Sequence, residues 1–394
     1  MKADLKFHEE AIQFIIKHEK EDLRKLALKK SPFHNIEMKE LITQIQGRQI
    51  AKNKFPFLLH FNQYIYPPKI SLEQASSEIT AKFKSKLISG KSFVDLTGGM
   101  GIDAYLLGKS FQKSTYVEPN QELCQRTKHN YGILKYSHCT CYNTSCEAFL
   151  ELNDLTFDWA YLDPSRRIEG NRKISIHNYE PNVVELQDRL NDKARNVMIK
   201  LSPMQDVSKC VEVIKGIKDI YIISVKSEVK ELLLCISKGF DKEPRIHAVD
   251  ISSRGEVSFS YDFRHRNKQV DYDKVQHYLY QPSPSLIKSE LQNRYNEQFG
   301  IKKLHPNTQL YTSKTYVKNY FGRVFKVRES IKLDKKILNK ILPNRQVNVI
   351  SKNFPLSSSD IINKYNLRPG GELYLIAFTN YLSEKKATIC ERIH

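Results

Sequence analysis

Three acidic residues stand where apolar runs stop. Asp95 ends the run in "FVDLTGGMGID", Glu118 ends "STYVEP", and Asp163 ends "FDWAYLDP". Glycines 98, 99 and 101 follow Asp95 and open a helix-length segment. Such a turn lets backbone approach a ligand closely, although any tight strand–helix turn needs glycine too. The acids add weight to the ligand reading. Glu118 is placed to accept two hydrogen bonds from ribose hydroxyls. A dinucleotide pyrophosphate would be repelled by Asp95 beside the turn. No Gly-Lys-Ser/Thr follows, so the turn is not a phosphate-binding P-loop. S-adenosylmethionine fits better. It has no phosphate, and its ammonium and sulfonium suit carboxylates at Asp95 and Asp163.

Methyl transfer from a sulfonium is an in-line displacement, and mainly a matter of positioning. An exocyclic amine is a poor nucleophile while its lone pair is delocalised into a base. Asp163 and the carbonyl of Pro164, accepting its two N–H bonds, would turn that lone pair toward the methyl group. Pro164 also stops the strand at the ligand edge. Arg166 and Arg167 follow. They would stack on a base, bind phosphate, or pair with Asp163 or Glu169 as scaffold. Lys200 and Ser202, with Asp206, reach the same sheet edge and are secondary candidates for substrate contact. His177 reads as a solvated loop residue. Cys139, Cys141 and Cys146 lack the second pair or histidine set of a zinc site, so packing is expected and no metal.

These residues need a sheet to bring them together. From residue 91, short apolar runs alternate with helix-length segments: "SFVDL", "STYVEP", "HCTCYN", "FDWAYLDP" and "RNVMIKLSP" each precede one. "DIYIISV" and "VKELLLCIS" then follow with only a short turn between them. Five strand–helix units and two nearly adjacent strands imply a parallel sheet with an added antiparallel pair. Ligands in such a sheet sit at the carboxyl ends of the strands. Before it, residues 4–30 and 37–51 have helical apolar spacing, "YPPK" breaks the pattern, and "SLEQASSEITAKFKSKLI" reads as one more helix. After about 264, strands and helices of two small α+β modules follow. The tyrosines and lysines of "YTSKTYVKNY" (311–320) suit either base stacking or sheet packing.

The motifs between about 71 and 263 resemble those of class I S-adenosylmethionine-dependent methyltransferases. The first motif of that family is acid-x-Gly-x-Gly-x-Gly. It is matched by Asp95-Leu96-Thr97-Gly98-Gly99-Met100-Gly101, with Thr97 in place of the first glycine. Glu118 matches the ribose-binding acid. The family's acid after the third strand, which meets the adenine amino group, is replaced by Ser145 or Asn143. The fourth motif, [DNS]-P-P-[YFW], is matched at Asp163-Pro164 and then departs at Ser165 and Arg166. "EQASSEITAKF" resembles a helix that borders the cofactor in several RNA methyltransferases. Asp-Pro-x-Arg also resembles the RNA C5-methyluridine enzymes, whose cysteine nucleophile follows the fifth strand. Here that place reads Lys200-Leu201-Ser202-Pro203. Cys210 falls on the next helix, where packing is expected, so N-methylation is preferred to covalent C5 chemistry.

Residues 264–394, with "KNFPLS" and "GGELYLIAFT", resemble bacterial methyltransferases carrying a ferredoxin-like module and a C-terminal THUMP-like domain. The resemblance implies an α/β fold: a Rossmann-like seven-stranded class I sheet at 71–263, behind an N-terminal helical region at 1–70. A basic ferredoxin-like module at 264–329 and a THUMP-like domain at 330–394 would follow. It implies S-adenosyl-L-methionine as cofactor, bound by Asp95, Thr97, Gly98, Gly99, Gly101, Glu118 and Ser145. It implies RNA, tRNA or rRNA, as the partner. The alternatives are a methyltransferase of a protein or small molecule, and a non-catalytic RNA-binding protein on a degenerate fold.

Composition agrees with these expectations. The 394 residues are 40% apolar, enough for substantial cores, yet no run of 18 apolar residues predicts a membrane span. No signal-peptide core is evident, and seven scattered cysteines read as reduced thiols, so a cytoplasmic location is expected. The net charge of +19 is unevenly spread. Residues 86–263 hold 24 Lys+Arg against 24 Asp+Glu, whereas 264–345 hold 18 against 6, a net +12. A neutral chemical core beside a basic appendage fits a protein that grips a polyanion.

Overall fold

A computed structural model describes residues 7–166, 175–253, 255–342 and 344–393. The chain divides into two compact units, one of Met1–Lys218 and Leu232–Lys242, the other of Asp219–Glu231 and Glu243–His394.

The first unit opens with helices α1 (Glu9–Lys17), α2 (Leu23–Ala27) and α3 (Met38–Lys54). The continuous apolar spacing of 4–30 is interrupted because His18 ends α1 and the Asp22 carboxylate caps α2 at the Arg24 N–H. Ala11, Ile15, Leu26, Leu41 and Ile45 make the core of this region. The single helix predicted for "SLEQASSEITAKFKSKLI" is likewise two, α4 (Lys69–Gln74) and α5 (Glu78–Leu87). Ser77 breaks it by capping α5 through Thr80 N–H, which leaves Ser76 turned into the protein.

Strands β1 (Ser92–Asp95), β2 (Lys113–Val117), β3 (Cys139–Tyr142) and β4 (Phe157–Leu162) follow. They alternate with α6 (Ile102–Gly108), α7 (Gln121–Ile133) and α8 (Cys146–Leu152). A two-residue pair, β5 (Ser165–Arg166) with β6 (Tyr179–Glu180), precedes α9 (Gln187–Lys193), β7 (Ala194–Leu201) and α10 (Val207–Val213). The order β3-β2-β1-β4-β7 is parallel throughout. Helices cover such a sheet on both faces, so its central strands are apolar on both sides. Val94, Ala160, Leu162, Val197, Met198 and Ile199 are accordingly buried.

The second unit takes up β8 (Ile217–Val225) and the start of β9 (Glu228–Ser237), reversed at Lys226 and Ser227 with φ of 51° and 64°. The last residues of β9 lie in the first unit, where they run antiparallel to β7. Strand β10 (Arg245–Ser252) is parallel to β8 and antiparallel to β11 (Gly255–Asp262). The sequence pattern missed this last pair, although Val257, Phe259 and Tyr261 alternate with polar residues along β11, which is exposed along most of its length. A separate sheet follows. Its strands are β12 (Tyr278–Pro282), β13 (Lys302–His305), β14 (Thr308–Ser313), β15 (Gly322–Ile331), β16 (Asn348–Lys352), β17 (Leu373–Thr379) and β18 (Lys385–Arg392). They are ordered β13-β14-β12-β15-β18-β17-β16. Helix α11 (Pro284–Lys288) lies against β10, and α12 (Gln292–Glu297) accepts a hydrogen bond from Tyr311 of β14 at Asn293. Helices α13 (Lys335–Ile341) and α14 (Ser358–Tyr365) pack on this sheet around Leu338, Ile361 and Leu375, and a second cluster buries Leu279, Phe325 and Phe378.

Candidate active site

Register decides what meets at the carboxyl end of the first unit's sheet. Asp95 lies level with Tyr116 on β2 and Tyr161 on β4. The residues just beyond these strands therefore converge on one cleft of about 830 Å³. Asp95, Thr97, Gly98, Gly99, Gly101, Glu118, Ser145, Asp163, Pro164 and Arg166 all border it.

The glycine loop is held tightly. Gly101 has φ of 80°, and a Cβ there would come within 2.5 Å of Thr127. A Cβ at Gly98 would come within 2.2 Å of the Tyr116 ring. Glu118 accepts from Gly99 N–H at 2.9 Å through one carboxylate oxygen and from Asn120 N–H at 2.8 Å through the other. Each oxygen keeps a lone pair for a further donor. Thr97, which stands where the motif usually has glycine, does more than fill space. Its N–H donates to Asp95 Oδ1 at 2.9 Å, and its hydroxyl accepts from Asp163 N–H at 2.7 Å. One residue thus ties the loop after β1 to the loop after β4.

A buried ionic network lies behind the loop. Lys84 is fully buried and pairs with Asp103 at 2.8 Å. Its ammonium also donates to Ser76 Oγ at 2.7 Å and to the Tyr161 hydroxyl at 2.9 Å. Ser76 and Tyr161 in turn donate to Asp103 Oδ2 at 2.7 and 3.0 Å. Burial alone would raise the Asp103 carboxyl, but Lys84, Lys200 and these hydrogen bonds outweigh it and hold it below its ordinary range. Among the described residues Asp95 has no such cationic partner. Burial pushes it from 3.8 to about 8, with Asp103 and Asp163 adding and the Thr97 N–H offsetting.

Asp163 pairs with Lys200, which lies beside it because Leu162 is in register with Ile199. Its side chain is 28% exposed. Loss of water at the cleft floor still raises its carboxyl above the ordinary range, with Lys200 opposing that shift and Asp103 reinforcing it. Among the described residues the salt-bridge partner of Asp163 is therefore Lys200, not Arg166. Arg166 is exposed at the rim, on β5, where it faces Tyr179 in register. Arg167 and Glu169 lie outside the described residues.

Lys200 meets the cleft through Asp163, and neither it nor Ser202 is among the residues that border it. Ser202 N–H donates to the Tyr179 hydroxyl at 3.3 Å, and Ser202 Oγ accepts from Met204 N–H. Asp206 caps α10. His177 is exposed in a short turn, and Cys210 is buried within α10. Asn143 donates to the carbonyls of Glu118 and Pro119, a scaffold role at the end of β2. Ser145 caps α8 at the cleft wall, and the next acid, Glu147, borders the cleft as well. Sequence reasoning passed over Glu147, Asp103, Lys84, Ser76 and Tyr161. A signal for Lys84 was present, since Ala81, Lys84 and Ile88 share one helical stripe. Among the described residues no three His, Cys, Asp or Glu side chains are grouped to hold a metal ion. No helix of the described residues is long and apolar enough to cross a membrane.

Comparison with known proteins adds the following. Residues 278–320 match a ferredoxin-like domain and residues 322–392 a THUMP domain-like family. No curated protein matches the chain. The crystal structure of a candidate methyltransferase from Porphyromonas gingivalis W83 superposes with a TM-score of 0.87 and 26% identity, covering 98% of this chain and 100% of that one. M. capricolum TrmK in complex with S-adenosyl-homocysteine covers 41% of this chain and 69% of its own at 14% identity, with a TM-score of 0.33. An rRNA methylase from Streptococcus thermophilus covers 40% and 93% at 12% identity, with a TM-score of 0.31.

Proposed function

We propose that this chain, which joins the class I methyltransferase fold to a ferredoxin-like and a THUMP-like domain, methylates an exocyclic nitrogen of a base in RNA. The observation that carries the reading is the pair Asp95 and Asp163. Both border one cleft, and burial raises both. A cleft that confines more acid than it neutralises favours a cationic ligand. When bound there, S-adenosylmethionine supplies an electrophilic methyl group on a positively charged sulfur.

The chain's own residues then divide the work. Asp95 would face the cationic amino-acid end of the cofactor, with the glycine loop letting backbone come close. Glu118, already oriented by two backbone N–H groups, would accept from the ribose. Ser145 and Glu147, on the cleft border, would meet the adenine. Asp163 and the Pro164 carbonyl accept the two N–H bonds of the target amine. Lys200 fixes the direction of the Asp163 carboxylate. The proton that the nitrogen sheds on methylation is taken at a carboxylate oxygen of Asp163, whose raised affinity for protons suits that step. Arg166 meets the target nucleotide at the rim. The THUMP-like match and the net +12 over residues 264–345 support RNA as the partner.

The test is labelled methyl transfer into RNA from cells lacking the gene, with wild type and Asp163→Ala, alongside calorimetry with S-adenosylhomocysteine. Transfer by the wild type that Asp163→Ala abolishes is the expected result. Cofactor binding without label in RNA would overturn the RNA part, and no binding at high micromolar concentration would overturn the enzyme.

A further inference from the structure

The stretch 311–320 contains two kinds of tyrosine. Tyr311 and Tyr320 are core residues, whose hydroxyls donate to Asn293 at 2.6 Å and to Asn296 at 2.9 Å. Tyr316 is 42% exposed, and its ring lies 5.7 Å from that of the half-buried Tyr278 at an angle of 46°. The loop carrying Tyr316 is pinned from below. The Tyr280 hydroxyl donates to Thr315 O at 2.7 Å and accepts from Val317 N–H at 3.1 Å. Ser313 Oγ accepts from Thr315 N–H at 3.1 Å. Tyr316 is therefore presented on a braced loop, and little ordering entropy is lost when something stacks on it.

Cations surround these rings. Lys314 and Lys318 are exposed on the same loop, and Lys326 lies directly opposite Tyr278 on β15. Among the described residues none of the three has a carboxylate within ion-pair distance. Glu391, opposite Lys326 on β18, is paired with Arg328. A lone exposed ring is ordinary surface. A braced pair of rings among three unmatched lysines fits a ligand with both phosphates and free base faces. A duplex would offer the charge without the faces, and an acidic peptide would leave the rings unused.

We propose that Tyr278 and Tyr316 form a base-stacking platform for a single-stranded segment of RNA, with Lys314, Lys318 and Lys326 holding its phosphates. This rests on RNA as the substrate class and names the surface that grips it. The experiment is fluorescence anisotropy of the full chain with a short fluorescein-labelled single-stranded RNA across a salt series. Tyr316→Ala should weaken binding roughly tenfold and leave the salt slope unchanged, while Tyr316→Trp keeps wild-type affinity. Replacing the three lysines by alanine should flatten the slope of log K against log salt by about 2. All three variants alter exposed positions, and unchanged circular dichroism would show that they fold. If the wild type binds RNA and neither Tyr316→Ala nor the triple lysine variant differs from it, the platform is wrong and the RNA reading survives. If the wild type binds no RNA, both fall. Competition by a blunt duplex or by oligoglutamate as strong as by the unlabelled strand would also overturn stacking.

Discussion

The two units both pair cations with acids but hold them at different depths. In the first, Lys84 is fully buried on Asp103, and Lys200 is 13% exposed on Asp163. In the second, pairs such as Lys268 with Glu297 and Arg328 with Glu391 lie at the surface, and Lys314, Lys318 and Lys326 are exposed with no carboxylate partner among the described residues. Net charge read from a sequence is therefore not the charge a partner meets. The zero balance of residues 86–263 includes matched pairs around a cleft, and the +12 of residues 264–345 includes charge left available to a polyanion.

The comparison is open to attack at both ends. Lys84→Met removes one member of a fully buried pair, and should cost about 3–5 kcal/mol, read as a lower urea midpoint. Asp163→Ala should lower methyl transfer by about 10²–10³-fold while S-adenosylhomocysteine binding stays near wild type, measured by label incorporation and calorimetry.

Asp95→Asn should weaken S-adenosylmethionine roughly tenfold, yet make the free protein more stable. The sign follows from its folded value of about 8 against an ordinary 3.8. Protonation of Asp95 favours the folded state, a contribution fully present below 3.8 and lost as pH rises through about 8. The thermal midpoint advantage of Asp95→Asn should therefore grow across that window. Cofactor affinity of the wild type should rise toward pH 8 and then level, because the cation needs the ionised carboxylate, while the variant stays flat. The smallest effect belongs to the second unit. Alanine at Lys314, Lys318 and Lys326 together should shift stability by no more than about 0.5 kcal/mol by thermal melting, since no folded contact is lost.

Much of this was legible in the sequence where residue type is forced. The turn at Gly98–Gly101 admits no side chain at two positions, and Asp95, Glu118 and Asp163 mark the ends of apolar strands, so their convergence followed from a parallel sheet. The partner of Asp163 was not legible as such. Lys200 stood at the right edge, but only register with β4 reveals it as the ion-pair partner of Asp163. The break between α4 and α5 was hidden because Ser77 is tolerable within a helix and decisive only as a cap. Strand β11 was legible in the alternation of Val257, Phe259 and Tyr261 with Ser258, Ser260 and Asp262, and the five strand–helix units before it ended the expected sheet too early. The tyrosines of 311–320 could not be sorted until burial separated Tyr311 and Tyr320 from Tyr316.

The Thr97 hydroxyl, accepting from the backbone of Asp163, has a consequence for binding equilibria. It joins the strand end that would receive the methyl donor to the one that would orient the acceptor, so the two move as a single mechanical piece. Ordering one loop prepays part of the ordering of the other, and linkage makes that benefit mutual. The two substrates should accordingly bind with positive cooperativity, and Thr97→Val should uncouple them with little change in either affinity alone.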